Sequence, residues 1–340
     1  MLQRKTLKTW SRLLTRTLAP LLIAPKSKAP ARHSTRPPAA RANRPAARPA
    51  AATGRWVSGA AISPAGTRRY RLFVPPGRSF GQRVPLLVML HGCDQNADRF
   101  AASTRMHQIA AREGFVVLYP EQDRLFNPNL CWNWFDTRDG RAYAEVGLIM
   151  QMIDQACLLY GADRERVAIA GLSAGASMAA LVVTRHPERF KAVAMHSGVP
   201  PGTARSGLGA LSAMYGRADT APLQASADVM AAEWPALLVI HGSDDRVVKP
   251  SNGLAAVRAW SEAAGARAEP PRLVQRGQRL GMAVTDYRLQ RRTVATLVEV
   301  ANLGHAWSGG AASQAYSEPK GPDASRLLWA FANRQFRLMA

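Results

Sequence analysis

Beyond residue 55 the chain alternates between two kinds of apolar stretch. Short runs that are apolar at nearly every position recur at 86–90, 115–119, 167–170, 192–195, 237–240 and 294–300, with a further strand pattern at 69–74. A strand apolar on both faces is one buried between layers of helix. Between these runs lie helical patterns at 105–112, 146–160, 177–185 and 253–264, and an amphipathic helix is predicted at 325–338. Strand and helix in alternation predict an α/β fold with a mostly parallel central sheet and helices on both faces. Residues 286–289 alternate polar and apolar like an edge strand. Residues 198–233 are rich in Gly, Ala, Pro and Ser without a clear period, and they read as a flap or lid near a ligand site. No internal repeat is present.

Composition adds a domain boundary. Of the 340 residues 47% are hydrophobic and 20% charged, enough apolar material for one large core. The net charge of +22 is unevenly spread. Residues 1–55 hold 13 of the 45 Lys and Arg and none of the 23 Asp and Glu, so the rest carries 32 basic against 23 acidic residues, a net +9. The basicity belongs to a Pro/Ala/Arg-rich tail, predicted to be disordered because it has too little apolar surface to offset its ordering entropy. It does not mark a specific nucleic-acid-binding fold; a weak contact of the tail with anionic surfaces is the sharper alternative to a plain linker. The chain therefore divides into a tail at 1–55 and one globular domain at 56–340.

The tail also carries the elements of an export signal. A basic start (Arg4, Lys5, Lys8, Arg12, Arg16) precedes a short apolar run at 18–24, interrupted by Pro20, and Ala29-Pro30-Ala31 has the form of a cleavage site. An extracellular or periplasmic location is expected, with the cytoplasm as the alternative. No run approaches the roughly 20 apolar residues needed to span a bilayer. The three cysteines show no C-x-x-C spacing. Cys157 reads as a small core residue, and a Cys93–Cys131 bridge is conceivable in an exported protein.

The chemistry concentrates at the ends of the strand runs. Gly171-Leu172-Ser173-Ala174-Gly175 reads G-x-S-x-G between a predicted strand and a predicted helix, the context of a nucleophile elbow. A serine hydroxyl needs a base, and the base needs a carboxylate to fix its tautomer and stabilise the imidazolium. The chain order Ser, acid, His is that of α/β-hydrolases, and Ser173, Asp245 and His305 supply it. His305 is favoured among the seven histidines because its loop follows the last parallel strand. His91 and His241 read as loop braces, His196 as a candidate cleft residue, and His107 and His186 as solvent-facing. Asp245 is favoured over Asp244 by the pattern His-Gly-x-x-Asp-x-x-Val, in which Val248 packs back under the loop. The oxyanion donors expected are the backbone N–H of Ala174, at a helix N-terminus, and that of Cys93, in the loop after 86–90. The aromatic run 129–135 is read either as core or as a wall beside Ser173. Trp134 and Trp307 are the expected substrate-lining residues. Neither metal spacing nor a phosphate loop is present, so no cofactor is expected.

Five motifs together, Leu90-His91-Gly92-Cys93-Asp94-Gln95, Asn129-Leu130-Cys131-Trp132-Asn133-Trp134-Phe135, Gly171-Leu172-Ser173-Ala174-Gly175, His241-Gly242-Ser243-Asp244-Asp245 and Gly304-His305-Ala306-Trp307, resemble the poly(3-hydroxybutyrate) depolymerase family of esterases. That family is itself similar to feruloyl and acetylxylan esterases. The resemblance covers about 68–310 and implies an α/β-hydrolase fold and carboxylic ester hydrolysis. Carried over, Ser173 is the nucleophile, Asp245 the acid and His305 the base, with Cys93 and Ala174 at the oxyanion positions. Family members are often secreted. Polymer-degrading members commonly add a polymer-binding domain after the catalytic one, and only 30 residues follow Gly310 here. Polyester oligomers or small esters are therefore the expected substrates. An acyltransferase that passes the acyl group to another alcohol is the nearest rival. A surface polymer-binding protein with an idle triad is the rival of another class.

Overall fold

The computed structural model describes residues 54–64, 66–79, 81–218 and 234–338. The expected tail up to residue 53, and 219–233 of the expected flap, lie outside the described residues. Among the described residues, no helix is long and apolar enough to cross a membrane.

An eleven-stranded sheet forms the centre, in the order β1-β2-β4-β3-β5-β6-β7-β11-β10-β8, with β9 also paired to β10. Its middle is parallel: β4 (Val116–Pro120), β3 (Val84–Leu90), β5 (Ala162–Leu172), β6 (Ala192–His196), β7 (Ala236–Gly242) and β11 (Arg292–Val300). The wholly apolar runs are these strands, and they are buried along nearly their full length. An antiparallel pair, β1 (Arg55–Ser63) and β2 (Gly66–Val74), extends one side. On the other, β10 (Met282–Leu289) pairs antiparallel to β11 and is itself flanked by the short β8 (Arg267–Ala268) and β9 (Arg272–Val274). The strand expected at an edge is thus one place in from it.

Helices cover both faces, as the pattern predicted. The apolar sides of α3 (Arg141–Leu159), α4 (Ala174–Arg185), the short α5 (Gly207–Met214) and α6 (Ser251–Ala263) enter one core layer. The other face takes α1 (Ala97–Thr104), α2 (Met106–Glu113) and α7 (Ala324–Leu338). The helix expected over 105–112 begins one residue later and follows a separate helix. Arg105, at φ 52°, breaks the two apart, and its guanidinium donates to the Gly309 carbonyl at 2.7 Å. His107 does not face solvent. It packs half-buried against the rings of Trp56 and Phe73, because β1 lays Trp56 over that helix.

The strand order reverses around β3: β4 follows it in sequence on one side, and β5 lies on the other. In an open α/β sheet such a switch point opens a crevice at the carboxyl ends of the strands. Here those ends are Leu90 and Leu172, immediately before His91-Gly92-Cys93 and Ser173.

Candidate active site

Ser173 sits in the turn between β5 and α4 with φ 55° and ψ −120°, a conformation costly for a non-glycine residue. Small neighbours make it achievable. A Cβ on Gly175 would collide with the Leu90 and His91 carbonyls, and one on Gly171 would collide with the Gly175 backbone. The elbow is therefore pressed against the end of β3. The Ser173 N–H donates to the His196 carbonyl at 2.9 Å, and the Ser173 carbonyl accepts from the Ser177 N–H at 3.1 Å. The residue is half-buried, so its hydroxyl is held at the mouth of the crevice. That hydroxyl carries no hydrogen bond among the described residues.

The two aspartates differ in burial and bonding. Asp244 is exposed. Asp245 is buried, and its Oδ1 accepts from the N–H groups of Val247 (3.0 Å) and Val248 (2.9 Å). Its Oδ2 lies 2.8 Å from Nδ1 of His305. Burial by itself pushes this carboxyl up. Hydrogen bonds from His241 and His305, the nearby His305 charge and the Val248 N–H outweigh it and hold the acid well below the usual carboxylate range. His241, read from the sequence as a loop brace, acts as one here. Its Nε2 donates to the Val248 carbonyl at 2.9 Å and lies 3.5 Å from Oδ2 of Asp245, so it seats the acid loop from beneath.

The acid and histidine loops are stitched together. The Asp244 N–H donates to the Leu303 carbonyl at 3.0 Å, and the Asn302 N–H to Oγ of Ser243 at 2.9 Å. Gly242 passes so close to the Leu303 carbonyl that a side chain there would not fit.

On the opposite side, the Gly92 turn meets the elbow directly: a Cβ on Gly92 would lie 3.6 Å from the Ser173 Cβ. Cys93 and Cys131 form a disulfide, which ties this turn to the aromatic run. Ala174 is buried in the first position of α4, where its N–H has no intrahelical acceptor.

Both tryptophans expected to line the substrate site are buried. Trp134 is 7% exposed and stands edge-on to Phe135 at 5.6 Å. Trp307 belongs to the core. At 1% exposure it stacks on the His196 ring at 5.0 Å, meets Phe100 edge-on at 5.4 Å, and donates its indole N–H to Oγ of Ser325 at 3.1 Å. The reason is α7, whose Ser325 lies over this ring. His196 is likewise enclosed rather than cleft-lining. Burial pushes its pKa down to about 3, and its Nε2 accepts from the Ser308 N–H at 3.1 Å.

A buried polar cluster lies behind the disulfide. Glu145, on α3, accepts at Oε1 from Arg68 (3.2 Å), from Nε2 of Gln122 (2.6 Å) and from Nδ2 of Asn133 (2.7 Å), and at Oε2 from the Asn133 N–H (2.8 Å). The same helix also carries Asp154, half-buried and paired with Arg164 and Arg189, so no local signal sets Glu145 apart.

The sequence matches the family described as Esterase PHB depolymerase over residues 68–266. It is 34% identical over 176 residues to a poly(3-hydroxyalkanoate) depolymerase C of Paucimonas lemoignei, covering 49% of this chain and 42% of that protein. It is 26% identical over 198 residues to a feruloyl esterase B of Neurospora crassa, covering 53% of this chain and 65% of the other. The chain thus spans less than two thirds of the length of these relatives. Among solved structures, an acetyl xylan esterase from Aspergillus awamori superposes with a TM-score of 0.60 at 19% identity, covering 73% of this chain and 94% of that one. That likeness supports an α/β-hydrolase fold, and the match over residues 68–266 places the chain in the Esterase PHB depolymerase family.

Proposed function

We propose that the protein hydrolyses carboxylic esters through an acyl-enzyme, with Ser173 as nucleophile, His305 as base and Asp245 as acid. The observation that carries this reading is the 2.8 Å contact between Asp245 and His305, on loops that follow β7 and β11, two and three strands along the sheet from β5, which ends at the elbow serine. Ser173 attacks the ester carbonyl as its proton passes to Nε2 of His305, and Asp245 stabilises the imidazolium from Nδ1. Hydrogen bonds between nucleophile and base are often made only once substrate is bound, so the free hydroxyl of Ser173 is compatible with this role. The N–H groups of Cys93 and Ala174 receive the oxyanion. The alcohol leaves with the proton of His305, and water deacylates the enzyme by the same route.

The substrates proposed are hydroxyalkanoate oligomers or related small esters, in keeping with the depolymerase relative. Feruloyl or acetylated polysaccharide esters are the second reading, favoured by the feruloyl esterase relative. Residues 56–340 are proposed as one catalytic domain. The Cys93–Cys131 disulfide fits an oxidising, exported setting. Replacing Ser173 by Ala tests the proposal. Hydrolysis of a p-nitrophenyl ester should fall by on the order of 10⁶ in kcat, and a rate within tenfold of the parent overturns it. A panel of hydroxybutyrate oligomers, feruloyl esters and acetylated xylan separates the substrate readings, and added alcohol detects acyl transfer.

A further inference from the structure

The Gly92–Cys93 peptide is gripped at its carbonyl. His91 is wholly buried, and its Nδ1 lies 2.8 Å from the Gly92 oxygen. Its Nε2 accepts from the Gln122 N–H at 3.1 Å. An acceptor nitrogen carries no proton, so the proton of the neutral ring sits on Nδ1 and is donated to Gly92. In a trans peptide the C=O and N–H point in opposite directions. Fixing the Gly92 carbonyl therefore fixes the Cys93 N–H, turned away from the imidazole. The same bond polarises the peptide and strengthens that N–H as a donor.

The rest of the turn is clamped, and only this donor is left over. The Gly92 N–H donates to Oε1 of Gln95 at 3.0 Å, and the Asp94 N–H to the Asn129 carbonyl at 2.7 Å. The Cys93 N–H has no acceptor among the described residues. A Cβ added to Gly92 would lie in van der Waals range of the Ser173 side chain, so the turn runs close beside the elbow.

Gln122 is held just as firmly. Its Nε2 donates to Oε1 of Glu145 (2.6 Å) and to the Cys131 carbonyl (3.0 Å), and its Oε1 accepts from Nε of Arg68 (2.7 Å). Arg68 and Glu145 are 1% and 2% exposed. A buried ion pair gains little stability over apolar packing, but a fully bonded one fixes geometry. The network reaches Cys93 by two routes: through Gln122 and His91 to the peptide, and through Cys131 to the disulfide.

We propose that His91 is a positioning residue for ester hydrolysis, its Nδ1–H holding the Gly92–Cys93 peptide so that the Cys93 N–H meets the oxyanion, with the Arg68–Gln122–Glu145 network setting its tautomer. The proposal rests on the esterase reading of Ser173. It is tested with His91→Phe, which keeps the ring volume and removes both nitrogens. kcat should fall roughly 10²- to 10³-fold, the range for loss of an oxyanion donor, with KM changed less than about threefold. Affinity for a trifluoromethyl ketone analogue, whose serine adduct carries the oxyanion, should fall by the same factor as kcat. His91→Asn restores a donor near the Gly92 oxygen and should recover at least about tenfold of the loss. Equal kcat and analogue affinity in wild type and His91→Phe, or no recovery in His91→Asn, overturns the proposal.

If His91→Phe does not fold, nitrogen-15 correlation spectra of the wild-type imidazole decide. A proton on Nδ1 supports the clamp, and one on Nε2 overturns it. Ser173→Ala keeps the two proposals apart. An active Ser173→Ala variant defeats the esterase mechanism, whereas an inactive one beside a fully active His91→Phe defeats the clamp alone.

Discussion

Asp245 and His305 lie 60 residues apart in the chain, yet Oδ2 of the first is 2.8 Å from Nδ1 of the second. Two further donors, the N–H groups of Val247 and Val248, occupy the other carboxylate oxygen. The carboxylate can therefore neither rotate away nor protonate easily, and it dictates that the His305 proton sits on Nδ1. Asp245→Asn keeps the size and presents an amide to the same ring. Should the amide nitrogen face Nδ1, it stabilises the wrong tautomer and removes the charge that supports the imidazolium. kcat should fall by about 10⁴, the scale of the equivalent change in serine proteases. The check is steady-state hydrolysis of a p-nitrophenyl ester. Asp244→Asn, at the exposed neighbour, should stay within about threefold of the parent.

Trp307 was expected beside the substrate and lies in the core instead. The two positions make different demands on a substitution. Trp307→Phe removes the indole bond to Ser325 and part of the stack on His196. It should lower the unfolding free energy by about 1–3 kcal/mol. The relative kcat/KM values for short and long acyl chains should stay within about twofold. Urea titration and an acyl-chain series supply the two measurements. A changed chain-length preference with unchanged stability would contradict the buried placement.

The contrast between Trp307 and Ser173 shows what the sequence can carry. The strands around the elbow were legible because burial on both faces leaves an unbroken apolar run. The elbow was legible because Gly171 and Gly175 are demanded by local close approach. Asp245 and His305, the proposed acid and base, were picked out by chain order and strand ends, and the structure brings them into contact. Trp307 was misplaced because its neighbours, Phe100 and Ser325, are remote in the chain, and no local pattern announces them. β1 was missed because Arg55-Trp56-Val57-Ser58-Gly59 shows little apolar alternation, and its pairing with β2 decides its structure. The Glu145 cluster joins four separate segments, so its members look like ordinary polar residues until they are brought together.

The Cys93–Cys131 bridge closes a loop with a sequence separation of 38. Chain-entropy arguments give such a loop a stabilisation of about 3–4 kcal/mol, though native-state effects reduce it in practice. The Cys93→Ala/Cys131→Ala double variant should therefore melt several degrees earlier than the parent by calorimetry. The proposed oxyanion donor is a backbone group of Cys93, indifferent to its sulfur. At temperatures where the double variant is folded, kcat should remain within about tenfold. A loss of several orders of magnitude in a folded double variant would mean that the bridge, rather than the peptide clamp, sets the donor.

Acid should destabilise the protein through two buried imidazoles before the carboxylate of Asp245 comes into play. His91 and His196 are both buried, and burial pushes their pKa values down from 6.5 to about 4 and about 3. Each ring also uses one nitrogen as an acceptor, from the Gln122 and Ser308 N–H groups. Their folded pKa values lie below the unfolded one, so between about pH 6.5 and 4 the unfolded chain binds protons that the native state refuses. Stability must fall with pH across that window, by up to about 1.4 kcal/mol per pH unit for each ring. Asp245 acts in a lower window. Its depressed pKa contributes stability that is present above the unfolded value near 4 and lost as pH falls beneath it. Urea unfolding at pH 7.0, 6.0 and 5.0 should show the first decline, and His196→Gln should reduce its slope while leaving the loss below pH 4 in place. A slope unchanged by that substitution would mean that the ring is charged or solvated in the native state, and the enclosed neutral imidazole beneath Ser173 would have to be abandoned.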